Sequence, residues 1–122
     1  GVYTGSDYFA SARLTRQQAR DSAITLLQEA AAQENADASV ANEASEGIQV
    51  LASYTLKEAQ IENLVTAKGY ADCVAFMGDD SISVVVSTGD RELTGEDVAK
   101  ITDIAMTETG YGAGGIKIMA AN

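Results

Sequence analysis

The sequence contains no histidine, and this absence excludes most familiar catalytic arrangements. Without an imidazole base, the Ser-His and Cys-His mechanisms of nucleophilic catalysis are excluded. The single cysteine, Cys73, also excludes an internal disulfide, and we predict that it is a small structural residue of a strand. Paired-carboxylate hydrolysis stays open in principle, although no acidic pair stands out from ordinary surface acids.

Proline, tryptophan and long apolar runs are absent as well. The lack of proline permits long uninterrupted helices, and the alanine-rich composition favours them. No run of about 18 apolar residues occurs, so no segment of this sequence is expected to span a membrane. No signal peptide is visible at its start. A chain of 122 residues suffices for one modest hydrophobic core.

Basic residues are few, since eight lysines and arginines face 18 acids and give a formal net charge of −10. This field repels nucleic acid and anionic lipid, so we predict no nucleic-acid partner. A partner that is basic, or neutral and apolar at its contact, fits better. Arg13, Arg16 and Arg20 form one local basic stripe at helical spacing. They could contact a partner; we favour a solvated helix face paired with acids such as Asp21.

Helical periodicity predicts two long helices in the first half of the chain. The first spans about residues 8–36, and its stripe of mostly small residues buries little area, so we expect it to lean on something outside the domain. The second runs from a cap at Asp37 or Ser39 to about Lys68, and Gly69 ends it. Gly47 allows a break within it.

Strict alternation predicts two strands joined by a tight hairpin. They cover residues 73–77 and 81–87, with Gly78-Asp79-Asp80 as the loop, and a third strand is predicted at 116–119. Bulky residues are expected on one face of the sheet: Val74, Phe76, Ile82, Val84, Val86, Ile116 and Ile118. The second face then carries small or polar residues and stays open.

A third helix is marked at both ends, because Thr94 and Asp97 resemble a capping box and Gly110 stops it. It should cover the bulky sheet face, together with part of the 39–68 segment, through Val98, Ile101, Ile104 and Ala105. The order α-α-β-β-α-β predicts an α+β fold: a two-layer sandwich of a three-stranded sheet with helices on one face. We take residues 1–122 as one domain, with a long helix over 1–37 and a core over 38–122.

Two further segments resemble binding sites. The glycine-rich segment from Gly110 to Gly115 follows a helix and opens a strand, whereas a dinucleotide loop follows a strand and opens a helix. Asp79 and Asp80 offer too few oxygens for a hard cation and are interpreted as a solvated hairpin tip. We therefore expect no cofactor, no metal and no catalytic residue, and we look for function in assembly.

Short segments spread over nearly the whole chain form an ordered set. They are Tyr8-Phe9-Ala10, Ala12-Arg13-Leu14, Arg16, Ala19-Arg20-Asp21, Ile61-Glu62-Asn63-Leu64, Ala67-Lys68-Gly69-Tyr70, Asp80-Ser81-Ile82-Ser83-Val84-Val85-Val86, Leu93-Thr94, Val98, Ile101, Asp103-Ile104, Thr109-Gly110 and Ile116-Lys117-Ile118. In their order and spacing they resemble the extracytoplasmic domain of the stage III sporulation protein AH family of endospore-forming bacteria.

This resemblance implies a ring-building motif, related in fold to inner-membrane ring proteins of type III secretion systems. It implies a non-enzymatic assembly domain in a channel or secretion-like complex that links the mother cell and forespore membranes during engulfment. Family members are anchored in the mother cell membrane by an N-terminal helix, which this sequence lacks, and project into the intermembrane space. Their implied partners are stage II sporulation protein Q, through its LytM domain, and other stage III sporulation channel proteins.

The candidate interface combines the basic stripe with the open sheet face: Arg13, Arg16, Arg20, Ser83, Val85, Ser87, Lys117 and Met119. Sheet-edge pairing is the expected mode of contact, because three short strands leave two edges. A weak homo-oligomer or ring is also expected. The alternatives are an extracytoplasmic small-ligand or peptidoglycan-binding module and, as a third candidate, a degenerate carboxylate hydrolase.

Overall fold

The computed structural model describes residues 5–33, 35 and 37–121. The elements are α1 Gly5–Ala32, α2 Ala38–Ala67, β1 Cys73–Met77, β2 Ile82–Val86, α3 Gly95–Thr109, a short 3₁₀ turn Ala113–Gly115 and β3 Ile116–Ala120. This order confirms the predicted α+β fold. α1 begins at Gly5, before the predicted residue 8, and ends at Ala32, earlier than predicted. The predicted last residue, 36, lies outside the described residues.

The two long helices form an antiparallel pair that meets closely at Gly47. Asp37 caps α2 by accepting a hydrogen bond from the Val40 N–H at 2.9 Å, and Gly69 follows the helix with a φ of 105°. α2 runs through Gly47 without a break. A Cβ at Gly47 would lie 3.1 Å from Leu27 Cδ1, so the glycine lets the two helices approach at this point.

The sheet has the strand order β1-β2-β3. β1 and β2 are antiparallel, with Ala75 opposite Val84, whereas β2 and β3 are parallel, with Val84 beside Ile118. A parallel pair needs a crossover connection, and α3 provides it between β2 and β3. Since β2 is central, β1 and β3 are the two edges of the sheet.

The main core lies between one sheet face and the helices α2 and α3. Its buried residues are Ile61, Val65, Tyr70, Cys73, Ala75, Ile82, Val84, Val86, Ile101 and Ala105. The predicted face of β1 is wrong, because Val74 and Phe76 point away from this core. Directly opposite residues of antiparallel strands share a face, so the pairing of Ala75 with Val84 puts the small residues of β1 on the core side.

A second apolar cluster covers part of the other sheet face. Phe9, from the start of α1, is fully buried against Val74 and Val85, and Tyr8 packs edge-on to it with ring centroids 5.2 Å apart. The beginning of α1 therefore reaches the face that was expected to be open, which explains how Val74 can be buried there.

The start of α3 holds a buried polar cluster around Asp97. Thr94 and Asp97 form the predicted capping box, and the Asp97 carboxylate also accepts from Tyr70 Oη at 2.5 Å and from Arg91 Nη1 at 2.5 Å. The prediction that Val98 is buried is wrong, since it is 36% exposed. At this end of α3 the inward-facing residues are Leu93, which packs against the main core, and the buried Asp97.

The hairpin loop is fixed by aromatic hydroxyls from two other elements. Tyr54 Oη donates to Asp79 Oδ1 at 2.6 Å, and Tyr111 Oη donates to the Gly78 carbonyl at 2.6 Å. Gly115 lies against the same loop, because a Cβ there would be 2.5 Å from the Asp80 carbonyl oxygen. The glycine-rich segment thus serves close packing between the hairpin and the entrance to β3.

Candidate docking surfaces on the sheet

The outer edge of β1 is covered by side chains. In the antiparallel pairing, the main-chain groups of Cys73, Ala75 and Met77 point away from β2. Their partners are Asp72 Oδ1 for Cys73 N–H (2.8 Å), Arg13 Nη2 for Cys73 O (2.9 Å), Glu62 Oε2 for Ala75 N–H (2.9 Å), Arg16 Nη1 for Ala75 O (2.5 Å) and Glu58 Oε2 for Met77 N–H (2.8 Å). We call Asp72, Arg13, Glu62, Arg16 and Glu58 the edge ladder.

Ion pairs hold the edge ladder together. Glu58 has no exposed side-chain surface, and its carboxylate accepts from Arg20 Nη1 at 2.5 Å and Nη2 at 3.2 Å. Arg16 pairs with Glu62 at 2.6 Å, and Arg13 pairs with Asp72. A buried carboxylate is tolerated only when it is paired and hydrogen-bonded. Glu58 meets both conditions.

The basic stripe therefore faces the protein. The expectation of a solvated arginine face paired with Asp21 is wrong, because the partner acids are Glu58, Glu62 and Asp72. The side chains of Arg16 and Arg20 are only 17% and 13% exposed. Arg20 also lies over the Tyr54 ring, with Cζ 5.9 Å from the centroid. These arginines were also predicted to contact a partner. Because they are bound within the edge ladder, a partner could meet them only at that ladder.

The outer edge of β3 is different. The Ala121 N–H donates to the Val86 carbonyl at 3.0 Å, and with the parallel register this directs the main-chain groups of Lys117 and Met119 toward β2. Those of Ile118 and Ala120 then point away from the sheet. Within residues 5–33, 35 and 37–121, no further strand lies beside β3. This edge offers main-chain donors and acceptors to an extended segment from outside.

The second sheet face carries the other predicted interface residues. Lys117 is exposed, Met119 is 45% exposed, and Ser83 and Ser87 are half-buried. Val85 is buried beneath Phe9, so the expectation that it lies on an uncovered face is wrong. The face is thus closed at its Val85 end and accessible along Ser83, Lys117 and Met119.

A groove continues this accessible face toward α1. It is lined by Thr15, Ala19, Ala23, Leu51, Phe76 and Met77. Ala19 and Ala23 of α1 therefore line a surface groove, whereas Ala12 packs against the Phe9 cluster. That this stripe packs against something beyond the domain stays a prediction. Phe76, predicted in the core, contributes to the floor of this groove.

A pocket of about 610 Å³ lies between α1 and α2. Its apolar lining includes Ile24, Ala52 and Leu56. Its polar lining includes Arg16 and Arg20, which already bind Glu62 and Glu58. A small-molecule site needs polar groups that converge on the ligand, and these two guanidinium groups converge on carboxylates of the chain itself.

Cys73 lies in the core with no exposed surface. Burial, with a smaller contribution from Glu62, raises the pKa of its thiol to about 12, so the reactive thiolate is scarce at neutral pH. Among the described residues, no group of three or more cysteine or acidic side chains is placed to hold a metal ion. In the same part of the chain, no helix is long and apolar enough to cross a membrane.

The two glutamates of the edge ladder were missed by the sequence analysis. Glu58 occupies the same helical stripe as Ile61 and Val65, where an acid is unusual unless it has a partner. An acid on the apolar stripe of one helix and arginines on the inner stripe of its neighbour form a detectable signal. The strand edge between them gives no such signal in the sequence.

Three helices on a three-stranded sheet, with one covered and one open edge, define a small α+β domain. The fold is similar to a chain of the solved SpoIIQ-SpoIIIAH pore forming complex, with 20% identity, a TM-score of 0.76 and coverage of 93% of this chain and 98% of that one. It is also similar to the enteropathogenic E. coli type III secretion system protein EscJ, with 20% identity, a TM-score of 0.54 and coverage of 62% and 50%.

The model of the SpoIIIAH-like protein family matches residues 2–118. The chain belongs to the SpoIIIAH-like family, which confirms the resemblance found in its sequence. A search of curated proteins finds no significant match. At 20% identity the solved structures establish the fold, and the partners of this chain are a separate question.

Proposed function

We propose that this chain is a non-enzymatic assembly domain of a sporulation channel complex, and that its partner is a SpoIIQ-type protein bound through a LytM domain. Membership of the SpoIIIAH-like family supports this assignment, as does the similarity to a chain of the SpoIIQ-SpoIIIAH pore forming complex. The observation that carries the proposal is the open edge of β3, with main-chain groups of Ile118 and Ala120 turned outward. Such an edge recognises protein and has no obvious use in catalysis.

The cellular setting of the proposal comes from the family resemblance. The full-length protein is anchored in the mother cell membrane by an N-terminal helix, and this domain lies in the space between that membrane and the forespore membrane. There it links the two membranes during engulfment and contacts other stage III channel proteins. The net charge of −10 is consistent with a domain that avoids anionic lipid surfaces.

The proposed contact with the LytM domain is strong and the self-contact is weak. A stable heterocomplex of this kind buries at least about 1,000 Å² in total. Copies of this domain repel one another through their acidic charge, so a ring forms only where anchoring in a membrane raises their effective concentration. The isolated domain is therefore expected to be monomeric at micromolar concentrations.

Size-exclusion chromatography of the domain with the purified LytM domain of the SpoIIQ-type protein from the same organism tests the proposal. We expect one early peak that contains both chains. A control variant, Lys100→Ala, changes an exposed residue of α3 and should co-elute with the LytM domain like the native domain. Separate elution at micromolar concentrations would refute the proposed partner.

A further inference from the structure

We propose that the edge ladder takes the place of a neighbouring strand along β1, so that strand addition is confined to β3. The inference rests on the proposed function and names the surface of that same assembly contact. The occupant of the β3 edge is an extended segment of a different chain that is less acidic than this one. The sheet of this domain then grows in one direction only.

The partners along β1 reproduce what a strand would present. From Cys73 to Met77 they alternate as acceptor, donor, acceptor, donor, acceptor, in the order Asp72, Arg13, Glu62, Arg16, Glu58. A neighbouring strand offers the same alternation of C=O and N–H. An incoming strand would have to displace these side chains and leave the buried Glu58 carboxylate without its Met77 N–H.

The edge of β3 has no comparable cover. Lys117 and Met119 are exposed beside it, and the outward groups of Ile118 and Ala120 meet no side chain of the described residues. Five residues, Ile116–Ala120, are available for pairing. This length suits addition of one short strand.

Closure of β1 also restricts how copies of the chain can meet. Head-to-tail pairing of β1 in one copy with β3 in the next would be an open-ended contact that builds sheets without limit. The edge ladder occupies the β1 edge, so this edge cannot pair with β3 of another copy. Two-fold pairing of β3 with β3 brings together two chains that each carry a net charge of −10. Both arguments favour a different, less acidic chain at β3.

Amide hydrogen exchange measured by NMR tests the inference on the unmodified domain. In the free domain we expect the amides of Ala75 and Met77 to exchange slowly although they lie on an edge strand. The amides of Ile118 and Ala120 should exchange fast, and addition of the purified LytM domain should protect them. Slow exchange at Ala120 in the free domain, or protection along β1 on binding, would overturn the inference.

Proline at position 120 tests the same edge by mutation. The Ala120 N–H faces away from the sheet, which is where proline is tolerated in strands. Ala120→Pro should weaken binding of the LytM domain about tenfold, because one main-chain donor is lost and its acceptor is left unpaired. Ala120→Ser keeps the donor and should bind like the native domain. Equal binding by both variants would contradict the proposal.

Mutation of the edge ladder tests, without any partner protein, whether these side chains prevent strand addition at β1. The double variant Arg16→Ala, Glu62→Ala should speed exchange of the Ala75 amide. In high salt, which screens the acidic repulsion between copies, it should also form larger species with rising concentration in sedimentation velocity. The control Glu96→Ala, Lys100→Ala removes the same two charges from an exposed pair and should stay monomeric. If the double variant loses its circular dichroism signal, the single variant Glu62→Ala replaces it. Glu62→Gln, which retains a hydrogen-bond acceptor, then serves as the control.

These experiments separate the inference from the function on which it rests. If no complex forms, the proposed partner is wrong, and the opened ladder still decides whether β1 is closed. If a complex forms and protection appears away from β3, the function stands and the inference fails. A folded, ladder-opened variant whose Ala75 amide exchanges fast and which stays monomeric like its control would show that the ladder is not what closes β1.

Discussion

Arg16 on α1 donates from Nη1 to the carbonyl oxygen of Ala75 on β1 across 2.5 Å. The same guanidinium binds Glu62, whose carboxylate accepts from the Ala75 N–H, so one ion pair covers both outward main-chain groups of one strand residue. An exposed ion pair contributes little to stability. Here the pair also provides hydrogen-bond partners for the outward N–H and C=O of the edge strand. This explains why charged side chains lie between two helices and a strand.

The contact of Phe9 with the second sheet face predicts a large loss of stability when the ring is removed. Phe9 is fully buried against Val74 and Val85, so Phe9→Ala should lower the free energy of unfolding by about 3–5 kcal/mol. Leu14, on the same helix, is 56% exposed, and Leu14→Ala should change it by about 0.5 kcal/mol or less. Urea denaturation of both variants checks this. Equal effects would show that α1 does not cover the sheet as described.

The close approach of Gly115 to the hairpin loop predicts that a single methyl group is harmful there. A Cβ would lie 2.5 Å from the Asp80 carbonyl oxygen, which is main chain and has little freedom to move. Gly115→Ala should therefore destabilise the domain by about 1–3 kcal/mol. The neighbouring Gly114 has open space at the same place, and Gly114→Ala is the matched control. Thermal unfolding of the two variants should differ clearly, and coincident transitions would count against this packing.

The Asp97 cluster predicts how stability changes in acid. Hydrogen bonds from Arg91 first, and then from Tyr70, lower the pKa of Asp97 from its ordinary value of 3.8. The folded state then binds fewer protons than the unfolded state, so the stabilisation is complete above that value and is lost as the pH falls below it. Asp97→Asn should be less stable than the native domain near neutral pH, and the gap should narrow in acid.

Urea midpoints between about pH 6 and pH 3 measure that gap. Asp103→Asn, on the exposed side of α3, provides the control and should follow the native domain at each pH. A gap between Asp97→Asn and the native domain that stays constant over this range would contradict the role given to the carboxylate charge.

The burial of Cys73 predicts that its thiol reacts slowly and that the side chain contributes modestly to stability. The pKa of the thiol is raised to about 12, so a disulfide reagent at about pH 8 should react only as fast as the protein opens. Cys73→Ala should cost about 1 kcal/mol, as for the loss of one methyl-sized group from a core, and leave binding of the LytM domain unchanged. Rapid labelling of the native protein, or loss of binding in the variant, would contradict this assignment.

Local signals in the sequence were sufficient to predict that the three helices exist and where α3 begins and ends. The capping box of Thr94 and Asp97 and the stop at Gly110 depend on a few neighbouring residues, and the structure confirms both. The face of β1 was predicted wrongly because each of its residues is apolar, so alternation fits either orientation. The bulky Val74 and Phe76 suggested a core face, while the actual core side holds the smaller Cys73 and Ala75.

The edge ladder depends on contacts that the sequence does not pair. Arg13, Arg16 and Arg20 lie three and four residues apart on α1. This spacing identified the stripe but not the part of the molecule that it faces. The α2 carboxylates that bind Arg16 and Arg20 lie 38 to 46 positions further along the chain. The strand carbonyls that accept from Arg13 and Arg16 lie 59 or 60 positions away. The arginines, the carboxylates and the strand carbonyls come together only because α1 packs along α2 and β1.

Sedimentation velocity of this domain and the LytM domain, separately and mixed over micromolar concentrations, tests the central claim most directly. The account predicts that each domain alone sediments as a monomer and that the mixture contains a faster species whose mass equals one copy of each or a small multiple. A mixture that sediments as the sum of two monomers at every concentration would contradict the claim that this chain is the assembly domain of a two-membrane complex.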